Sequence, residues 1–388
     1  MTHKRILFCA TVDYHFKAFH LPMMEWFRRQ GWEVHVAARG GMELPHVDRK
    51  FDIPIERSPL GKGNVKAYRM LKSIIDKGDY SIIHCHTPMG GAVARLAARG
   101  ARRRGAKVFY TAHGFHFYKG APPVNWLLYY PIEKLLASVT DCLITINGED
   151  YRRATASGFR AGQIRHVHGV GVHTGRFKPM SPDEKRVMRL QFNYSPQHFL
   201  LICAAEFNAN KNHELLIRAL AKLKDKVTGV RLLLAGQGPL LNDCRALAAS
   251  LGVAAQIDFL GYREDLGQLM PMCDVAVSAS LREGLPVNIM EAMACGLPVV
   301  ATRNRGHEEL VEEGRSGFIV EPGDEEMFAS RLLLLHRFRE TRIRMGARGL
   351  ERVSAYSLDQ VQEELKALYR PLMEETMEGT ERLQWNAL

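Results

Sequence analysis

The sequence predicts two doubly wound α/β domains, each built on a parallel sheet. Short apolar runs alternate with helical patterns along the whole chain, as in repeated strand–helix units. Most of these apolar runs lack a period of two, which indicates strands that are buried on both faces of a parallel sheet. The chain has 388 residues, more than one ordinary core accommodates, so two domains of about 150–200 residues are expected.

Twelve segments are predicted to be strands, six in each half of the chain. In the first half they are RILFCATV, WEVHVAAR, YSIIHCHT, KVFYTAHG, CLITING and IRHVHGVGV. In the second half they are FLLICAAE, RLLLAGQG, IDFLGY, DVAVSAS, LPVVAT and GFIVEPG. Helices are predicted between them, for example in HLPMMEWFRRQG, VARLAARGARRRG, HELLIRALAKLKD and NDCRALAASLG.

The domain boundary is predicted in GVGVHTGRFKPMSPDEK, where glycines and prolines break the periodicity. We therefore expect an N-terminal α/β domain over residues 1–175 and a C-terminal one over residues 176–357. The tail SLDQVQEELKALYRPLMEETMEG has a helical pattern. A C-terminal helix at residues 358–388 is expected to pack back on the first domain.

The composition is that of a globular protein, because 46% hydrophobic and 24% charged residues exclude a disordered chain. No apolar run approaches the ~18–20 residues of a membrane span. The first apolar stretch ends at Asp13, too early for a signal peptide, and is expected to form a buried strand. The seven cysteines are odd in number and lack a CxxC pair, so we expect reduced core residues in a cytosolic protein.

Positive charge is concentrated in the first half of the chain. The formal net charge is +11; residues 1–180 hold 28 Lys and Arg against 13 Asp and Glu, and residues 181–388 hold 25 against 29. This asymmetry predicts that the first domain faces an anionic partner. A nucleic acid, a phosphorylated ligand and an acidic membrane surface are all compatible with it.

The segment REGLPVNIMEAMACGLPVVAT holds two glutamates, Glu283 and Glu291, around the predicted start of a helix. Ligands of open α/β sheets bind beyond the carboxyl ends of the strands, where a helix N-terminus attracts phosphates. Gly284 permits close backbone approach, and Pro286 suits the first helical turn. Carboxylates repel phosphate but bind vicinal hydroxyls, so the pair predicts a pyrophosphate flanked by two sugars, that is, a nucleotide sugar.

The chain resembles a known enzyme family over nearly its whole length. EGLPVNIMEAMACGLPVVAT is similar to the E-x7-E signature of retaining glycosyltransferase family 4, and AEFNANKNHELLIRAL, LLLAGQGPL and SGFIVEPGD match further segments in order. ILFCATVDYHFKAFHLP, IIHCHTPMGGAVARLAAR and TAHGFHFYKGAP resemble the Eps-type members from bacterial exopolysaccharide clusters. The resemblance implies the GT-B fold, in which two Rossmann-like domains with parallel sheets face a central cleft.

The resemblance assigns the donor site mainly to the C-terminal domain. It implies that Glu283 contacts hydroxyls of the transferred sugar and that Glu291 contacts the ribose. Lys211 would pair with the diphosphate and offset charge on the leaving group. The loop of Tyr262 and Arg263 is expected to read the nucleobase. The remaining predicted donor contacts are Asn208, Gly284, Leu285 and Pro286.

One position departs from the family pattern. Most members have an arginine five residues before the lysine, whereas this chain has Glu206 there. A carboxylate cannot clamp a phosphate, so that contact is lost or comes from another residue. Asn208 and Asn210 are polar candidates, and a Glu206–Lys211 ion pair is an alternative. The GxG of LAGQGPL lacks the third glycine of a dinucleotide fingerprint and is expected to form a tight turn.

Acceptor contacts are expected in the N-terminal domain. His113 matches a family histidine near the reacting sugar, and the resemblance implies a catalytic set of His113, Lys211 and Glu283. The other acceptor-side candidates are Asp13, His15 and His116, with Tyr14, Tyr118 and Lys119 as weaker ones.

His84 and His86 have the H-x-H spacing of some metal ligands. Residues two apart share a strand face, but no carboxylate or cysteine pattern near them completes a site, so we interpret both as cleft-lining or structural. No two aspartates are separated by a single residue, so the D-x-D pair with which other glycosyltransferases hold a divalent ion is missing. We therefore predict no cofactor and no metal, and activity that survives EDTA.

The resemblance implies a retaining hexosyl- or N-acetylhexosaminyltransferase. It would move a sugar from a UDP-linked donor to a polyprenyl-diphosphate-linked saccharide in exopolysaccharide or capsule biosynthesis, by front-face attack or through a covalent intermediate. Two alternatives stay open: a sugar-nucleotide epimerase of the same fold, and a non-catalytic homologue that binds an anionic surface or a nucleic acid. No nucleic-acid-binding module is recognisable, so a nucleic acid is not the expected partner.

The run RLAARGARRRGAK is strongly basic, and the aromatic and apolar helix VNWLLYYPIEKLLASV follows it. For an enzyme with a lipid-linked acceptor, the combination predicts peripheral docking to the anionic inner face of the cell membrane. We expect binding to anionic vesicles that salt reverses and that the loss of Arg102, Arg103 and Arg104 weakens. The basic residues of the run are Arg95, Arg99, Arg102, Arg103, Arg104 and Lys107.

Overall fold

The computed structural model describes residues 4–385, with side chains over residues 4–374, and contains two α/β units. One unit comprises the residues up to Val170 and those from Val361 onward, and the other comprises Gly171–Gln360. The division falls within the segment where glycines and prolines predicted a boundary. Val172 already belongs to the second unit, because its N–H donates to the carbonyl of Tyr356 at 2.9 Å.

The first unit is built on a seven-stranded sheet. Its strands are β1 (Arg5–Val12), β2 (Glu33–Arg39), β3 (Arg49–Asp52), β4 (Ile82–His86), β5 (Lys107–Ala112), β6 (Cys142–Thr145) and β7 (Gln163–His166). All neighbours pair in parallel, in the order β3-β2-β1-β4-β5-β6-β7. The connecting helices are α1 (Tyr14–Phe19), α2 (Leu21–Arg29), α3 (Gly63–Gly78), α4 (Pro88–Ala97), α5 (Arg99–Arg103), α6 (Pro123–Ala137) and α7 (Gly148–Ala156).

The second unit is built on a six-stranded sheet. Its strands are β8 (Phe199–Ala204), β9 (Val230–Ala235), β10 (Ile257–Gly261), β11 (Val275–Ser278), β12 (Val299–Thr302) and β13 (Gly317–Val320). All neighbours pair in parallel, in the order β10-β9-β8-β11-β12-β13. The helices are α8 (Pro182–Gln191), α9 (His213–Ala221), α10 (Leu241–Ser250), α11 (Leu266–Leu269), α12 (Val287–Ala294), α13 (Arg305–Leu310), α14 (Glu325–Arg337) and α15 (Arg339–Val353).

All twelve predicted strands are present, and the doubly wound parallel architecture is confirmed. Within the described residues, the one additional strand is β3, whose sequence RKFD lies at the sheet edge. An edge strand has solvent beside it and is often charged, so it leaves no apolar run to detect. The segment VARLAARGARRRG forms two helices, α4 and α5, because the chain is interrupted at Ala98.

Both sheets reverse their strand order beside the first strand of the unit. β2 and β4 flank β1 in the first sheet, and β9 and β11 flank β8 in the second. The connections therefore leave β1 and β4, and likewise β8 and β11, toward opposite sides. At such a switch point the diverging loops open a crevice at the carboxyl ends of the strands, which is where ligands of open α/β sheets bind.

The C-terminal helix α16 (Leu358–Trp385) packs on the first unit. Val361 and Tyr369 are buried in the core beside β1 and α2. The Tyr369 ring stacks on Phe109 with ring centres 5.4 Å apart, and its hydroxyl contacts Nδ1 of His84. These contacts place the first part of α16 in the core of the first unit.

The seven cysteines are all buried and unpaired, which agrees with their interpretation as reduced core residues. Between residues 4 and 385, no helix combines the length and the apolar character that crossing a bilayer requires.

Arg95 does not lie on the basic surface where the sequence analysis placed it. Its side chain is 0% exposed, and its guanidinium lies 3.8 Å from the ring centre of Tyr110. It donates to the Glu133 carboxylate at 2.8 Å and to the carbonyl of Gly91 at 3.0 Å. A charge count along the chain cannot distinguish this inward-facing arginine from its neighbours, because only the helix phase of α4 determines which way it points.

Replacing Arg95 with alanine is expected to lower the free energy of unfolding of the first unit by about 3–5 kcal/mol, because Glu133 is left buried without its charged partner. Arg103→Ala is the matched control, since Arg103 belongs to the same basic run but is exposed. It should change the same quantity by ~0.5 kcal/mol or less. Urea unfolding followed by circular dichroism measures both. Small and equal effects would contradict the buried ion pair.

Candidate functional site

Two loops of the second unit bring Lys211 and Glu283 together. Lys211 lies in the loop after β8 and Glu283 in the loop after β11, the two strands at the switch point of this sheet. Nζ of Lys211 donates to Oε1 of Glu283 at 2.6 Å, with 22% and 13% of the two side chains exposed. Two predicted site residues that are far apart in sequence therefore form one half-buried ion pair.

Backbone contacts hold these two loops against each other. The carbonyl of Asn210 accepts the N–H of Leu281 at 2.8 Å, and its Nδ2 donates to the carbonyl of Arg282 at 3.0 Å. Nδ2 of Asn288, on α12, donates to the carbonyl of Ala204 at the end of β8, also at 3.0 Å. The geometry of the ion pair is thus fixed by the surrounding backbone as well as by its own charges.

A third loop, after β12, packs on the backbone of Glu283. Nδ2 of Asn304 donates to the carbonyl of Ser280 at 2.8 Å, and Nε of Arg305 donates to that of Glu283 at 3.2 Å. A Cβ at Gly306 would lie 2.7 Å from the Cβ of Glu283, so this close approach requires glycine. Three neighbouring strands of the sheet therefore contribute to the surroundings of the ion pair.

Glu291 lies on α12, which begins at Val287 with Pro286 at its N-cap position, one residue earlier than the predicted first turn. Burial raises the pKa of Glu291 to about 7, and the charge of Arg176 opposes that shift. Among the residues that the structure describes, none donates a hydrogen bond to this carboxylate. A half-buried carboxylate without a donor is a group that a hydroxyl-bearing ligand can satisfy.

Glu206 is exposed and does not pair with Lys211. Its Oε2 accepts from Nδ2 of Asn208 at 3.0 Å, and Oδ1 of Asn208 accepts the N–H of Lys211 at 3.1 Å. The predicted alternative of a Glu206–Lys211 ion pair is therefore wrong, because the lysine pairs with Glu283. Asn208 shapes the loop and holds the backbone of the lysine.

The glycines of LAGQGPL let the loop after β9 lie against the loop after β8. A Cβ at Gly236 would lie 1.9 Å from the carbonyl oxygen of Ala205, and one at Gly238 would lie 2.4 Å from that of Phe207. These glycines permit the close approach of two backbones. The predicted turn is also present, because the N–H of Leu241 donates to the carbonyl of Gly238 at 3.2 Å.

The other predicted donor contacts differ in exposure. Tyr262 is 64% exposed, and Arg263 makes a two-point contact with Asp265 at 2.5 and 2.8 Å. Gly284 is half-buried and Leu285 is buried. Tyr262 is therefore open to a ligand, whereas the guanidinium of Arg263 is already occupied.

The sequence analysis missed His307, which is fully buried beside the ion pair. Burial lowers its pKa to about 4, with the nearby charges of Glu283 and Lys211 acting in opposite directions. Its Nδ1 lies 2.6 Å from the carbonyl oxygen of Thr302, and its Nε2 has no partner within the described part of the chain. Sequence patterns did not indicate this position, because His307 is a single histidine on a short helix and forms no motif with its neighbours in the sequence.

In the first unit, Asp13 forms an ion pair with Lys50, so its carboxylate is not available to a ligand. Its Oδ2 accepts from Nζ of Lys50 at 2.5 Å and from the N–H of Met42 at 2.8 Å. Burial opposes ionisation, but these bonds lower the pKa of Asp13 overall. Asp13 joins the loops after β1 and β2, and its contacts do not support the predicted role toward an acceptor.

Four histidines meet at the switch point of the first sheet, namely His15, His20, His86 and His113. One ring nitrogen of each lies within 4.8 Å of the other three. Burial lowers the pKa of His15 to about 4, and burial also lowers the pKa of the other three rings. The cluster includes the predicted His15 and His113.

Both members of the H-x-H pair are buried, but their surroundings differ. Nε2 of His84 lies 2.8 Å from Oγ1 of Thr111, and its Nδ1 contacts Tyr369, so this residue is structural. His86 instead has three histidine neighbours. They come from distant segments of the chain, so local spacing could not reveal them.

His116 lines a cavity of about 390 Å³ beside β1 and α4. Its ring stacks on Tyr129 of α6 with ring centres 4.6 Å apart. Thr11 and Thr87 lie on the same cavity wall, with their hydroxyls 2.8 Å apart. Tyr14 also lines it, whereas Lys119 is exposed. The cavity therefore has polar groups at the strand ends and an aromatic wall from α6.

Two family matches cover most of the chain. Residues 20–169 match the family described as a glycosyl transferase 4-like domain, and residues 186–352 match the family described as glycosyl transferases group 1. The first match lies within the first unit, and the second lies within the second unit.

Individual proteins extend this similarity. The chain is 49% identical over 371 residues to EpsD of Bacillus subtilis (strain 168), which carries the name of a glycosyltransferase, covering 96% of this chain and 97% of that protein. It is 26% identical over 279 residues to the Escherichia coli UDP-Gal:alpha-D-GlcNAc-diphosphoundecaprenol alpha-1,3-galactosyltransferase, covering 70% and 69%.

A solved structure of Anabaena HepE in complex with UDP and glucose shares the fold, with a TM-score of 0.76, 20% identity and coverage of 95% of this chain and 100% of that one. The two units described above are those of GT-B glycosyltransferases. Given the 49% identity over nearly the full length and both family matches, the chain belongs to the group 1 and 4-like glycosyltransferase family and is similar to its Eps-type members.

Proposed function

We propose that this protein is a retaining glycosyltransferase that moves a hexosyl or N-acetylhexosaminyl group from a UDP-sugar to a polyprenyl-diphosphate-linked saccharide. The observation that carries the proposal is the meeting of Lys211 and Glu283 at the switch point of the second sheet, with Glu291 on the adjoining helix. The E. coli relative acts on an acceptor of this class, and HepE binds UDP and glucose.

The ion pair has spare capacity for a donor. The ammonium of Lys211 has three N–H donors, of which Glu283 takes one, so two can face diphosphate oxygens. Glu283 bonds through Oε1, which leaves Oε2 for hydroxyls of the transferred sugar. Lys211 would then offset the charge that develops on the leaving diphosphate, while Glu283 keeps the lysine in place.

Glu291 suits the ribose of the donor. Its carboxylate has no donor among the described residues, and two vicinal hydroxyls would provide two. Binding would thereby relieve the cost of burying this carboxylate in its charged form. Retention by front-face attack, with the leaving diphosphate accepting the acceptor proton, follows from the family and forms part of the proposal.

The cavity of the first unit supports a lipid-linked acceptor. Its wall from α6 includes Leu128 and Ile132, and Met89 lines the opposite side. Arg57, which is exposed at the rim, offers a charge for a diphosphate. His113 keeps one ring nitrogen, Nδ1, without a hydrogen bond to any described residue, so it remains able to contact a sugar hydroxyl.

Replacing the three donor-site residues tests the proposal. Glu283→Gln, Glu291→Gln and Lys211→Met should each lower kcat/KM for sugar transfer at least about tenfold, equivalent to ~1.4 kcal/mol of transition-state stabilisation. Glu206→Gln is the matched control, because this exposed carboxylate lies in the same loop as Lys211 and makes no contact with it. A panel of UDP-sugars with a synthetic lipid-diphosphate saccharide measures transfer, and circular dichroism checks folding.

Wild-type rates in all three variants would reject the site. Conversion of the donor alone into an epimer would instead favour the sugar-nucleotide epimerase.

The donor diphosphate is proposed to be neutralised by Lys211 and the start of α12, so transfer should not depend on added Mg²⁺ or Mn²⁺. A strict and reversible requirement for either ion would contradict this phosphate site.

Donor affinity is expected to depend on the protonation of Glu291. Its pKa of about 7 means that lowering the pH from 8 to 5.5 protonates the carboxyl, and only the ionised form accepts hydrogen bonds from both ribose hydroxyls. The Kd of a UDP-sugar should therefore be constant above pH 8 and rise up to about tenfold per pH unit well below 7. Calorimetric titration measures it, and Glu291→Gln should bind more weakly with a flat profile. An unchanged profile in Glu291→Gln would assign the titration to another group.

The basic run near α5 supports a membrane-facing role at the inner leaflet. Arg102 pairs with Asp141 and Arg104 pairs with Asp76, so both are partly neutralised. Arg99 and Arg103 are exposed and pair with no described acidic residue. Exposed apolar side chains on α6 would add hydrophobic contact with the leaflet; they are Val124, Leu127, Leu128, Ile132 and Leu135.

Binding to anionic but not neutral vesicles is expected at low salt, and it should be lost as salt is raised. Arg99→Ala with Arg103→Ala should weaken it about tenfold or more, because each basic residue near an anionic surface contributes ~1 kcal/mol. Arg315→Ala with Arg337→Ala, exposed in the second unit, is the control. Vesicle cosedimentation measures both. Equal binding by the two double variants would place the docking face elsewhere.

A further inference from the structure

We propose that His15, His20, His86 and His113 form a binding site for a borderline transition-metal ion such as Zn²⁺. The four residues come from α1, the N-cap of α2, the end of β4 and the loop after β5. A single point in the first unit is therefore surrounded by four imidazoles from separate elements. This inference does not depend on the proposed transferase reaction.

The spacing of the ring nitrogens fits a tetrahedral ion. Zn–N bonds of about 2.0–2.1 Å in tetrahedral geometry place the nitrogens about 3.3 Å apart. Nδ1 of His86 and Nε2 of His113 are 3.3 Å apart, and the Nε2 atoms of His15 and His20 are 3.0 Å apart. One ring nitrogen of each histidine lies within 4.8 Å of the others, so small side-chain rotations suffice to close the site.

The four rings of the cluster are shielded from solvent to different degrees. Nδ1 of His86 faces His113, and its Nε2 is buried without a partner among the described residues. Two of the four rings, those of His20 and His86, are buried, and the other two are half-buried. A small cavity of about 20 Å³, lined by three of these histidines, lies beside the cluster and has room for about one water molecule.

The donor set selects the class of metal. Imidazole nitrogen suits Zn, Ni, Co and Cu, whereas Mg²⁺ and Ca²⁺ prefer oxygen ligands. The cluster contains no carboxylate among the described residues, so it provides no side-chain oxygen ligand for Mg²⁺ or Ca²⁺. The expected metal is therefore distinct from the Mg²⁺ or Mn²⁺ that other glycosyltransferases hold on the donor diphosphate.

A metal here would anchor three segments that also shape the acceptor cavity. His15 lines that cavity, and His113 follows β5 at the same end of the sheet. If His113 binds the ion through Nε2, its Nδ1–H stays available to orient toward a substrate oxygen, as in other metal-bound histidines. The ion would thus fix the orientation of the ring that the transferase proposal places near the sugar.

Metal content is the primary test, on full-length protein prepared without a polyhistidine tag. After incubation with excess Zn²⁺ and desalting, the wild type should retain about one zinc ion per chain by mass spectrometry. The double variant His15→Gln/His113→Gln, which changes the two half-buried rings, should retain less than a fifth of that amount. The control His46→Gln/His173→Gln removes two histidines outside the cluster and should match the wild type.

Two further readouts bear on geometry and folding. Co²⁺ should give the intense visible bands of a tetrahedral ion with the wild type and control only. Zn²⁺ should raise the melting temperature of both by several degrees and leave the double variant unchanged, because only a folded site binds the ion. Wild-type protein that retains no zinc above a metal-free blank overturns the proposal, even if the double variant fails to fold. Equal retention by the two double variants also overturns it.

Discussion

Both candidate sites depend on one topological constraint, the reversal of strand order beside the first strand of each parallel sheet. In a parallel sheet all carboxyl ends lie at one edge, and loops that diverge from adjacent strands leave an opening between them. In the second unit this opening is flanked by the loops after β8 and β11, which carry Lys211 and Glu283. In the first unit it is flanked by the loops after β1 and β4, where the histidine cluster lies.

The partners of the buried charges distinguish structural ion pairs from groups available to a ligand. Asp274 accepts from Arg189 at 2.7 Å, from Lys185 at 3.2 Å and from the N–H of Leu200 at 2.9 Å, so its capacity is filled within the fold. Burial opposes its ionisation, but these partners lower its pKa overall. Glu291 is half-buried, but it has no hydrogen-bond donor in the described part of the chain and its pKa rises. A carboxylate to which the fold donates no hydrogen bond is therefore a stronger indication of a ligand site than one that is fully hydrogen-bonded.

The sequence predicted the architecture well because both sheets are buried on two faces. Most of these strands are therefore apolar, and all twelve that were expected are present. β3 was missed because RKFD, at the edge, has no apolar run. Motif similarity also located Lys211, Glu283 and Glu291, but the contact between the lysine and Glu283 joins residues 72 apart and emerges only from the fold.

The remaining differences concern side-chain direction and long-range neighbours. Arg95 lies in a basic run and yet points inward to Glu133 and Tyr110, which depends on the phase of one short helix. Asp13 follows β1 as predicted, but its orientation depends on Lys50, which lies on β3 and is 37 residues away in the sequence. The histidine cluster combines three separate segments, which contain His15 with His20, His86, and His113, so no local pattern could have indicated it.

These orientations also limit which group can take a proton from an acceptor hydroxyl. Glu133 is the one carboxylate among the described residues lining the cavity of the first unit, and Arg95 and Tyr110 already bond to it. Asp13 is held by Lys50. If the histidine nitrogens ligate a metal, their lone pairs are occupied as well. Under the proposed function, the donor diphosphate would then be the most available base, and the first unit would orient the acceptor.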